Sequence, residues 1–500
     1  MLLHTWHSTE RREGEKTLVE VPEDIWVQVF EHLGSATKDR KQYKDELASI
    51  SLVCRSFCVI CHPLLFRDVK FDVSSIHRGD GDDLRQLSWC QHVIGNMGKP
   101  ATVGLSVKSY TLWNSRASEE PDIRALMKRH IYVIPFLRNL RDLTLKSLVL
   151  DGSFLETIEA VHTLESLVIR DCSILGKARQ SWVPRPLRRL QHLDFVCKHC
   201  DPSIRSSFVQ LVVVPSLRIF RSCDTEFFEL CLTHIRDLPL VELGAPISLE
   251  SDSQQLLIAF LNNALTIGKL HLYPVDVPIG DHSHSVQGLN EQALPSLSWV
   301  LCPPFCLADL VPNRPVHGIQ VVGDVGWQDT SDPVMLRIME SSAVIRHLCL
   351  RRFTYRLLLP LRDKFPHLET LHIYDGAGDH PAEEFVIADD DLPSSIRGLS
   401  LTLSRHAIFR VSSQIRFRYY PFDGKLLDKD AYAGASNSFA RALPNLTILS
   451  VDFMEEWRRP DTTSNWRQTL FSEDELAHRR TAVDHQYGDC GIISDMNVSW

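Results

Sequence analysis

The stretch Leu164–Ile174, LESLVIRDCSI, has the spacing that decides the fold of this chain. Leu164, Leu167 and Ile169 form an apolar-x-x-apolar-x-apolar phrase, and Cys172 and Ile174 extend it. A period of two places the apolar side chains on one face of a short strand and the x residues on the other. The phrase recurs along the chain, often just after a proline, so we expect the strand to recur with it.

Copies of the phrase follow one another at intervals of about 20 to 30 residues from about residue 100 onward. The other clear copies are Leu140, Leu143 and Leu145; Leu190, Leu193 and Phe195; Leu217 and Phe220; Ile267, Leu270 and Leu272; Val316, Ile319 and Val321; Ile345, Leu348 and Leu350; Leu368, Leu371 and Ile373; Ile396, Leu399 and Leu401; and Leu446, Leu449 and Val451. Weaker copies are Leu105 to Val107; Leu238, Val241 and Leu243; and Leu297 and Val300.

This period resembles that of leucine-rich repeats, in which each strand is followed by a helix or loop and stacked neighbours complete the core. The resemblance implies an α/β solenoid: a curved parallel sheet with helices and loops on its convex side. The x residues would then lie on the concave face, open to a partner. Cys172 stands where that family has asparagine or cysteine, whereas Leu148 and Thr225 replace it in other copies, so the array is expected to be degenerate.

Some segments break the period and are expected to be polar loops that leave the solenoid. They are Val275 to Glu291, Gly376 to Asp391, and Phe409 to Ala442, the last of which mixes arginines with tyrosines. Loops of this kind are frequent binding elements, although most are solvated connections.

The N-terminal stretch from Val21 to Phe71 has a different period. Pro22 suits the first turn of a helix, and the apolar residues from Ile25 to Leu33 recur at spacings of three and four. The pattern predicts a helix that stops at Gly34, a charged loop over Ser35 to Glu46, and a second helix over Leu47 to Cys61 that ends before Pro63. RDVKF, with Phe66, Val69 and Phe71 in the repeat spacing, is expected to be the first strand of the solenoid.

The motifs VPEDIWVQVFEHL, SLVCRSF and PLLFRDV of this stretch resemble the F-box, the adaptor-binding module of cullin-RING ubiquitin ligases. The family's Leu-Pro opening corresponds to Val21-Pro22 here, so a valine replaces the leucine, and the loop before the second helix is longer and more charged than usual. The resemblance implies docking on a Skp adaptor through a mostly apolar surface. Its expected members are Val21, Pro22, Ile25, Val29, Phe30, Leu33, Leu52, Val53, Cys54 and Phe57.

These patterns predict the organisation of the chain. We expect a disordered N-terminus over residues 1–17, the F-box over 18–71, a connecting helical segment over 72–99, an irregular solenoid over 100–455, and a polar C-terminal cap or tail over 456–500. The helix of the connecting segment is expected over Leu84 to Met97.

Composition narrows the functional classes. The formal net charge of −9 gives no basic field for nucleic acid or anionic membranes. No uncharged run approaches the roughly 20 apolar residues that span a bilayer, and the first residues lack the apolar core of a signal peptide. The 13 scattered cysteines suit reduced thiols. We therefore expect a protein of the cytoplasm, the nucleus or both, with no nucleic-acid or membrane partner.

Candidate chemistry is sparse. Cys58-x-x-Cys61-His62 matches a haem-attachment pattern but lies on a predicted core helix, so we expect structural cysteines. Cys197-x-x-Cys200 with His199 lacks a second ligand pair for structural zinc. His282 and His284 beside Asp281 also lack further ligands. Motifs of P-loop, dinucleotide-binding, serine-hydrolase and zinc-protease sites are not present, so no cofactor, metal or catalytic residue is expected.

The chain resembles the divergent F-box and leucine-rich-repeat proteins of fungi, and this resemblance implies a substrate receptor of an SCF-type ubiquitin ligase. The F-box would dock on the Skp adaptor and through it on the cullin-RING ligase, and the repeats would hold an unidentified target protein. A scaffold without a role in degradation is the alternative. A solenoid-based hydrolase would require a serine or cysteine beside a histidine in a cleft.

Overall fold

The computed structural model forms two compact units, residues 1–217 and 218–500, which are described separately below. It describes residues 22–36, 40–72, 82–95, 103–114, 121–176, 182–247, 251–273, 286–322, 337–351, 361–374, 384–387, 392–402, 408–411, 415–418, 443–451, 455–459, 461, 464 and 466–469. Val21, Asp281, His282 and His284 lie outside them.

Short helices and strands alternate through most of the chain. The helices are α1 (Glu23–Ala36), α2 (Arg40–Ser51), α3 (Arg55–Leu65), α4 (Asp82–Gly95), α5 (Val103–Ser106), α6 (Pro121–Val133), α7 (Phe154–Glu159), α8 (Pro202–Val212), α9 (Thr225–Ile235), α10 (Ser251–Asn263), α11 (Pro304–Leu310) and α12 (Leu361–Lys364), with a 3-10 turn at Ile134–Phe136. The strands of the first unit are β1 (Asp68–Asp72), β2 (Ser109–Trp113), β3 (Asp142–Lys146), β4 (Val149–Asp151), β5 (Ser166–Leu175) and β6 (His192–Cys200).

The strands of the second unit continue the same alternation before ending in a hairpin. They are β7 (Ile219–Ser222), β8 (Glu242–Pro246), β9 (Lys269–Tyr273), β10 (Trp299–Cys302), β11 (Gly318–Val321), β12 (His347–Arg351), β13 (Thr370–Tyr374), β14 (Glu384–Ile387), β15 (Gly398–Thr402), β16 (Ile408–Val411), β17 (Ile415–Arg418), β18 (Ile448–Val451), β19 (Glu455–Arg458) and β20 (Arg467–Thr469).

The N-terminal module has three helices rather than the two predicted. Residues 40–46 belong to α2 and are not a loop; Gln42 and Asp45 are exposed on this helix, and Leu47 is completely buried. The predicted second helix is interrupted at 52–54, where Cys54 is extended and its sulfur accepts a hydrogen bond from the Phe57 amide, 3.4 Å away, as the N-cap of α3. Pro63 lies inside α3 rather than beyond its end.

The first unit contains a parallel sheet in which β1 pairs with β2, β2 with β3, β3 with β5 and β5 with β6. The prediction that RDVKF joins the solenoid is confirmed, since Asp68 to Asp72 lie in register with Ser109 to Trp113. The prediction for the repeat copy that contains β2 was wrong. Its buried residues are Val107, Tyr110 and Leu112 rather than Leu105 to Val107.

The second unit repeats the arrangement. Strands β7 to β13, then β15 and β18, pair in parallel and in order. Here the weak copy reads Leu240, Leu243 and Ala245, all fully buried, whereas the predicted Val241 is 45% exposed. The Leu240 amide bonds to the Leu238 carbonyl in a tight turn, which shifts the phrase. Parallel pairing of repeated strands with intervening helices makes the protein an α/β solenoid of the leucine-rich-repeat type.

Two predicted loop regions contain strands. β14 pairs in parallel with β16, and β16 pairs antiparallel with β17, so residues 384–387, 408–411 and 415–418 form a separate small sheet. These strands do not follow the leucine-rich spacing, so the repeat pattern does not predict them. After β18 the chain returns antiparallel as β19 and then β20, so the last parallel strand is paired on its outer edge.

Polar side chains in the turns that precede the strands connect successive repeats, and we call them the polar spine. These contacts were not predicted from the sequence. Each spine residue directly precedes the first apolar residue of its copy and donates a side-chain hydrogen bond to a carbonyl of the preceding copy: Asn139, Thr163, Ser216, Thr266, Ser296, Ser395 and Asn445. In the last copy the Arg459 Nε donates to the Leu446 carbonyl, 2.5 Å away, so the returning hairpin supplies the donor that another repeat would supply.

Candidate partner-binding surfaces

The predicted docking residues divide into an exposed group and a core group. Phe30 is 3% exposed and Leu33 and Phe57 are half-buried within the module core. The rings of Trp26 and Phe57 lie 4.9 Å apart and those of Phe30 and Phe57 lie 5.3 Å apart, both edge to face. These residues hold α1 against the first turn of α3, and Phe30 is covered by the module core.

The exposed group is apolar. Ile25 and Val29, one helical turn apart on α1, are 43% and 42% exposed, and Leu52 and Val53, at the break before α3, are each 70% exposed. Pro22 and Cys54 are also exposed. Because Phe57 packs on Trp26, the break that leads into α3 lies beside the N-terminal half of α1. We call Pro22, Ile25, Val29, Leu52, Val53 and Cys54 the module surface.

The helical module is attached to the sheet of the first unit by polar contacts as well as by the chain. Lys44 Nζ donates to the Asp68 carbonyl at 2.8 Å, and Arg67 Nη1 lies 3.3 Å from Glu31 Oε1. Both contacts reach the segment that forms or precedes β1. The module is thus packed against the first strand of the array.

The three cysteines of the module differ in burial: Cys54 is exposed, Cys58 is half-buried and Cys61 is buried. Burial raises the pKa of the Cys61 thiol to about 11, and burial lowers the pKa of the neighbouring His62 imidazole. Within the described ranges, no group of three or more histidine, cysteine or carboxylate residues is placed to hold a metal ion. Cys197 instead donates to the Cys172 carbonyl at 3.0 Å, which links β6 to β5.

Each sheet has one face that carries the x residues of the repeats, which we call the x face. In the first unit most x residues from β2 to β5 are half-buried or exposed, as the sequence predicts: Ser109, Thr111, Asp142, Thr144, Lys146, Ser166, Val168 and Arg170. Lys70 Nζ lies 5.2 Å from the centre of the Trp113 ring, and Arg170 Nη2 lies 2.6 Å from Asp194 Oδ2. This face combines cations, an aromatic ring and hydroxyl groups.

The x face of the second unit contradicts the expectation that x residues are open to a partner. Many of them are buried: Glu242, Gly244, Pro246, His271, Tyr273, Leu301, His372 and Ser400. Charge is buried here because it is paired. Arg221 Nε donates to Glu242 Oε1 at 2.6 Å, and His271 Nε2 lies 3.4 Å from the same oxygen.

Burial determines the protonation state of His271 in this network. Burial, assisted by the nearby charges of Arg221 and Lys269, lowers the pKa of His271 to about 3. His271 is therefore neutral at pH 7, with its Nδ1 3.3 Å from the Tyr273 hydroxyl. Gly244 leaves space for its neighbours, because a Cβ there would lie 2.9 Å from Arg221 Cβ and 3.0 Å from Tyr273 Cε2.

Hydroxyl and imidazole groups meet at two places on the x faces. Ser166 Oγ lies 3.0 Å from His192 Nδ1, and Thr370 Oγ1 lies 2.9 Å from His347 Nδ1. In both cases the two residues are register partners on adjacent strands, so the contacts are cross-strand pairs of the sheet. The Ser166 amide is bonded to the Arg141 carbonyl and is not available to stabilise an oxyanion. The hydrolase alternative gains no support from these pairs.

The helices carry no sign of a bilayer-spanning segment. Among the described residues, every helix is too short or too polar to cross a membrane.

Comparison with known proteins finds weak structural likenesses only. No family model matches the chain and no curated protein matches it. Similar solved structures include a plant peptide hormone receptor in complex with RGF2, with 14% identity over 70% of this chain and 52% of the receptor chain at a TM-score of 0.24. TLR13 in a complex with ssRNA13 has 14% identity over 69% of this chain and 49% of its own, with a TM-score of 0.30.

An internalin from Listeria monocytogenes has 12% identity over 54% of this chain and 77% of its own, with a TM-score of 0.20. The chain thus spans about half the length of the plant receptor and TLR13 chains that it resembles. These neighbours are leucine-rich-repeat proteins. The fold assignment rests on the strand register of this chain, in which repeated strands pair in parallel.

Proposed function

We propose that this chain is a substrate receptor of an SCF-type ubiquitin ligase, in which the N-terminal module docks on a Skp adaptor and the repeats hold a target protein. The observation that carries the proposal is the module surface. Ile25, Val29, Leu52 and Val53 are exposed on a small helical module whose own core is already filled. Exposed apolar groups that are not needed for folding are typical of a binding surface.

The motif order supports the same partner. The Val-Cys-Arg motif that resembles the F-box lies at Val53 to Arg55, at the break before α3, and the Pro22 motif lies at the start of α1. Val53 and Ile25 are therefore the expected principal anchors. Phe30, Leu33 and Phe57 would act indirectly, by fixing the angle between α1 and α3. Val21 remains part of the proposed surface on the sequence resemblance alone.

Such a receptor performs no bond chemistry. It would raise the effective concentration of a target near the ubiquitin-charged enzyme and fix the orientation of target lysines. The attachment of the module to β1 through Lys44 and Arg67 would give the adaptor a defined position relative to the sheet of the first unit.

The direct test is a titration of the purified full-length protein with purified Skp adaptor. Substitution of Ile25 and Val53 by Asp places charges in an interface that would otherwise be apolar, and we expect adaptor affinity to fall by about 100-fold or more. Val59→Asp is the matched control, because Val59 is 63% exposed on the same module but outside the proposed surface. It should bind like the wild-type protein.

Equal adaptor binding by the wild-type protein, the Ile25→Asp/Val53→Asp variant and the control would overturn the docking proposal. The thermal unfolding of each protein, followed by circular dichroism, distinguishes lost docking from lost folding. Phe30 is unsuited to this test because a buried aspartate there would disrupt the module core.

The alternative is an adaptor-bound scaffold that does not promote degradation. The two roles differ in whether a captured partner is modified. In a reconstituted ligase, ubiquitin transfer to a protein held by the repeats supports the receptor, whereas persistent lack of transfer to a firmly bound partner supports the scaffold.

A further inference from the structure

An aromatic ring lies flat across one strand on the x face of the second unit. Trp299 and Gly318 are register partners on β10 and β11. A Cβ at position 318 would lie 2.0 Å from Trp299 Cε3 and 2.3 Å from Cζ3, so only glycine leaves room for the indole. The glycine places the ring over the neighbouring strand, where it stays half-buried instead of entering the core.

The imidazole rings of His317 and His347 lie next to the Trp299 ring on the same face of the sheet. The His347 ring centre lies 5.8 Å from that of Trp299 and 6.2 Å from that of His317. The Thr370 hydroxyl, 2.9 Å from His347 Nδ1, fixes the orientation of the His347 ring. All three rings are half-buried, and burial lowers the pKa of His347. We call Trp299, His317 and His347 the aromatic shelf, a surface whose rings are held in place by Gly318 and Thr370.

The charges around the shelf are predominantly positive. Lys269 is exposed and in register with Trp299, Arg346 precedes His347, and Arg397 is exposed where its amide bonds to the Glu369 carbonyl. The Glu369 carboxylate lies 3.2 Å from Arg346 Nη1 in an exposed pair. This positive surround is unusual in a chain whose formal net charge is −9.

We propose that the shelf binds an acidic segment of the target protein that presents an aromatic or aliphatic side chain to Trp299. An indole face attracts both apolar groups and cations. The exposed side chains of Lys269 and Arg397 disfavour a cation, whereas Arg346 is already paired with Glu369. Carboxylates beside the apolar anchor would meet these side chains at the rim. The proposal deepens the receptor function above and rests on it for the identity of the ligand as a target protein.

Selection from a library of short random peptides with the full-length protein tests the shelf without any adaptor. The enriched peptides should contain an aromatic or aliphatic residue flanked by Asp or Glu. By fluorescence anisotropy, Trp299→Ala should weaken these peptides by about tenfold or more. Lys269→Glu should weaken them by about threefold or more and favour versions in which Lys replaces each acidic residue.

Tyr132→Ala, at a 63% exposed aromatic residue of the first unit, is the control and should leave peptide binding unchanged. Enrichment of basic peptides, failure to enrich any, or unchanged binding by Trp299→Ala would overturn the proposal. Lys269→Glu guards against a folding artefact because its side chain is exposed. Adaptor titration of Trp299→Ala should match the wild-type protein, so a failed shelf and a failed docking module give different results.

Discussion

The x faces of the two units differ although the same apolar phrase lies beneath both. In the first unit Thr111 and Thr144 are half-buried, whereas Gly244 and His271, at the same position of the phrase, are buried in the second unit. The phrase fixes only the side chains that enter the core. The x residues are free to become a solvated surface or a buried polar network, and the chain contains both.

This contrast separates two roles that a single repeat type can have. The Arg221, Glu242 and His271 network binds neighbouring strands to one another, and its loss should destabilise the second unit. Thr111 and Thr144, at the corresponding position in β2 and β3 of the first unit, should tolerate substitution and remain available for contact. The aromatic shelf is a part of the second unit's face that keeps half-exposed rings.

The largest expected effect is that of Glu242→Ala. It would leave the Arg221 guanidinium, which is 17% exposed, without its carboxylate, and the loss of a fully buried pair sets the upper value at about 3–5 kcal/mol. Hydrogen exchange of the β8 and β9 amides should show a loss of local stability of this size. Glu165→Ala, which removes an exposed 3.7 Å pair with Arg141 in the first unit, should change the stability of β5 by less than about 1 kcal/mol. Similar losses in both units would contradict the contrast.

Acid should destabilise the second unit through its buried histidines. Burial lowers the pKa of His372 to about 4, below its ordinary value of 6.5. The unfolded chain therefore binds more protons between these values, and stability present above pH 6.5 is lost as the pH falls toward 4, by roughly 3 kcal/mol for this group. Hydrogen exchange of β13 across this range measures the loss.

A matched variant tests the assignment of that loss. His372→Gln should reduce the acid sensitivity of β13, whereas β2 of the first unit should keep its own sensitivity. There, burial lowers the pKa of His130 to about 4, and its Nδ1 lies 2.8 Å from the Tyr110 hydroxyl. An unchanged pH dependence of β13 in His372→Gln would exclude His372 as the cause.

Gly244→Ala should destabilise the second unit by about 1–3 kcal/mol, because the added methyl group would meet Arg221 Cβ at 2.9 Å and Tyr273 Cε2 at 3.0 Å. Thr111→Val, a change of similar scale at the same position in the first unit, should shift stability by less than about 1 kcal/mol. Chemical denaturation followed by the exchange of β8 and β2 amides compares the two. A tolerated alanine at position 244 would show that the network can rearrange.

The core and the strand order were predictable because they depend on local alternation. Leu143, Leu145, Leu167 and Ile169 are fully buried as predicted, and β1 joins the sheet as predicted. Helix α2 was missed because its charged sequence has a low apolar content, although Leu47 gave an apolar anchor at its end. Apolar periodicity indicates the buried face of a helix, so a mostly charged helix such as α2 gives little signal.

The surfaces were less predictable because they depend on pairs from different repeats. The module surface could be named from local motifs, but its division into exposed Val53 and buried Phe30 depends on how α1 meets α3. Trp299 has no visible role in the sequence, since the space for its ring comes from Gly318 in the next repeat. Gly318 is visible in the sequence as a glycine at an x position. Only the strand register shows that it lies beside Trp299.

Substitutions in the polar spine should have the smallest effect on stability. They test a feature that the two units are expected to share. Thr163 Oγ1 donates to the Leu140 carbonyl at 2.7 Å in the first unit, and Ser395 Oγ donates to the Leu368 carbonyl at 2.8 Å in the second. Thr163→Ala and Ser395→Ala should each cost about 1 kcal/mol, because each leaves one backbone carbonyl without that donor. Exchange of the β5 and β15 amides measures the two losses. If the losses differ by more than about 1 kcal/mol, the turn sides of the units are not equivalent, and the difference between the units extends beyond the x faces.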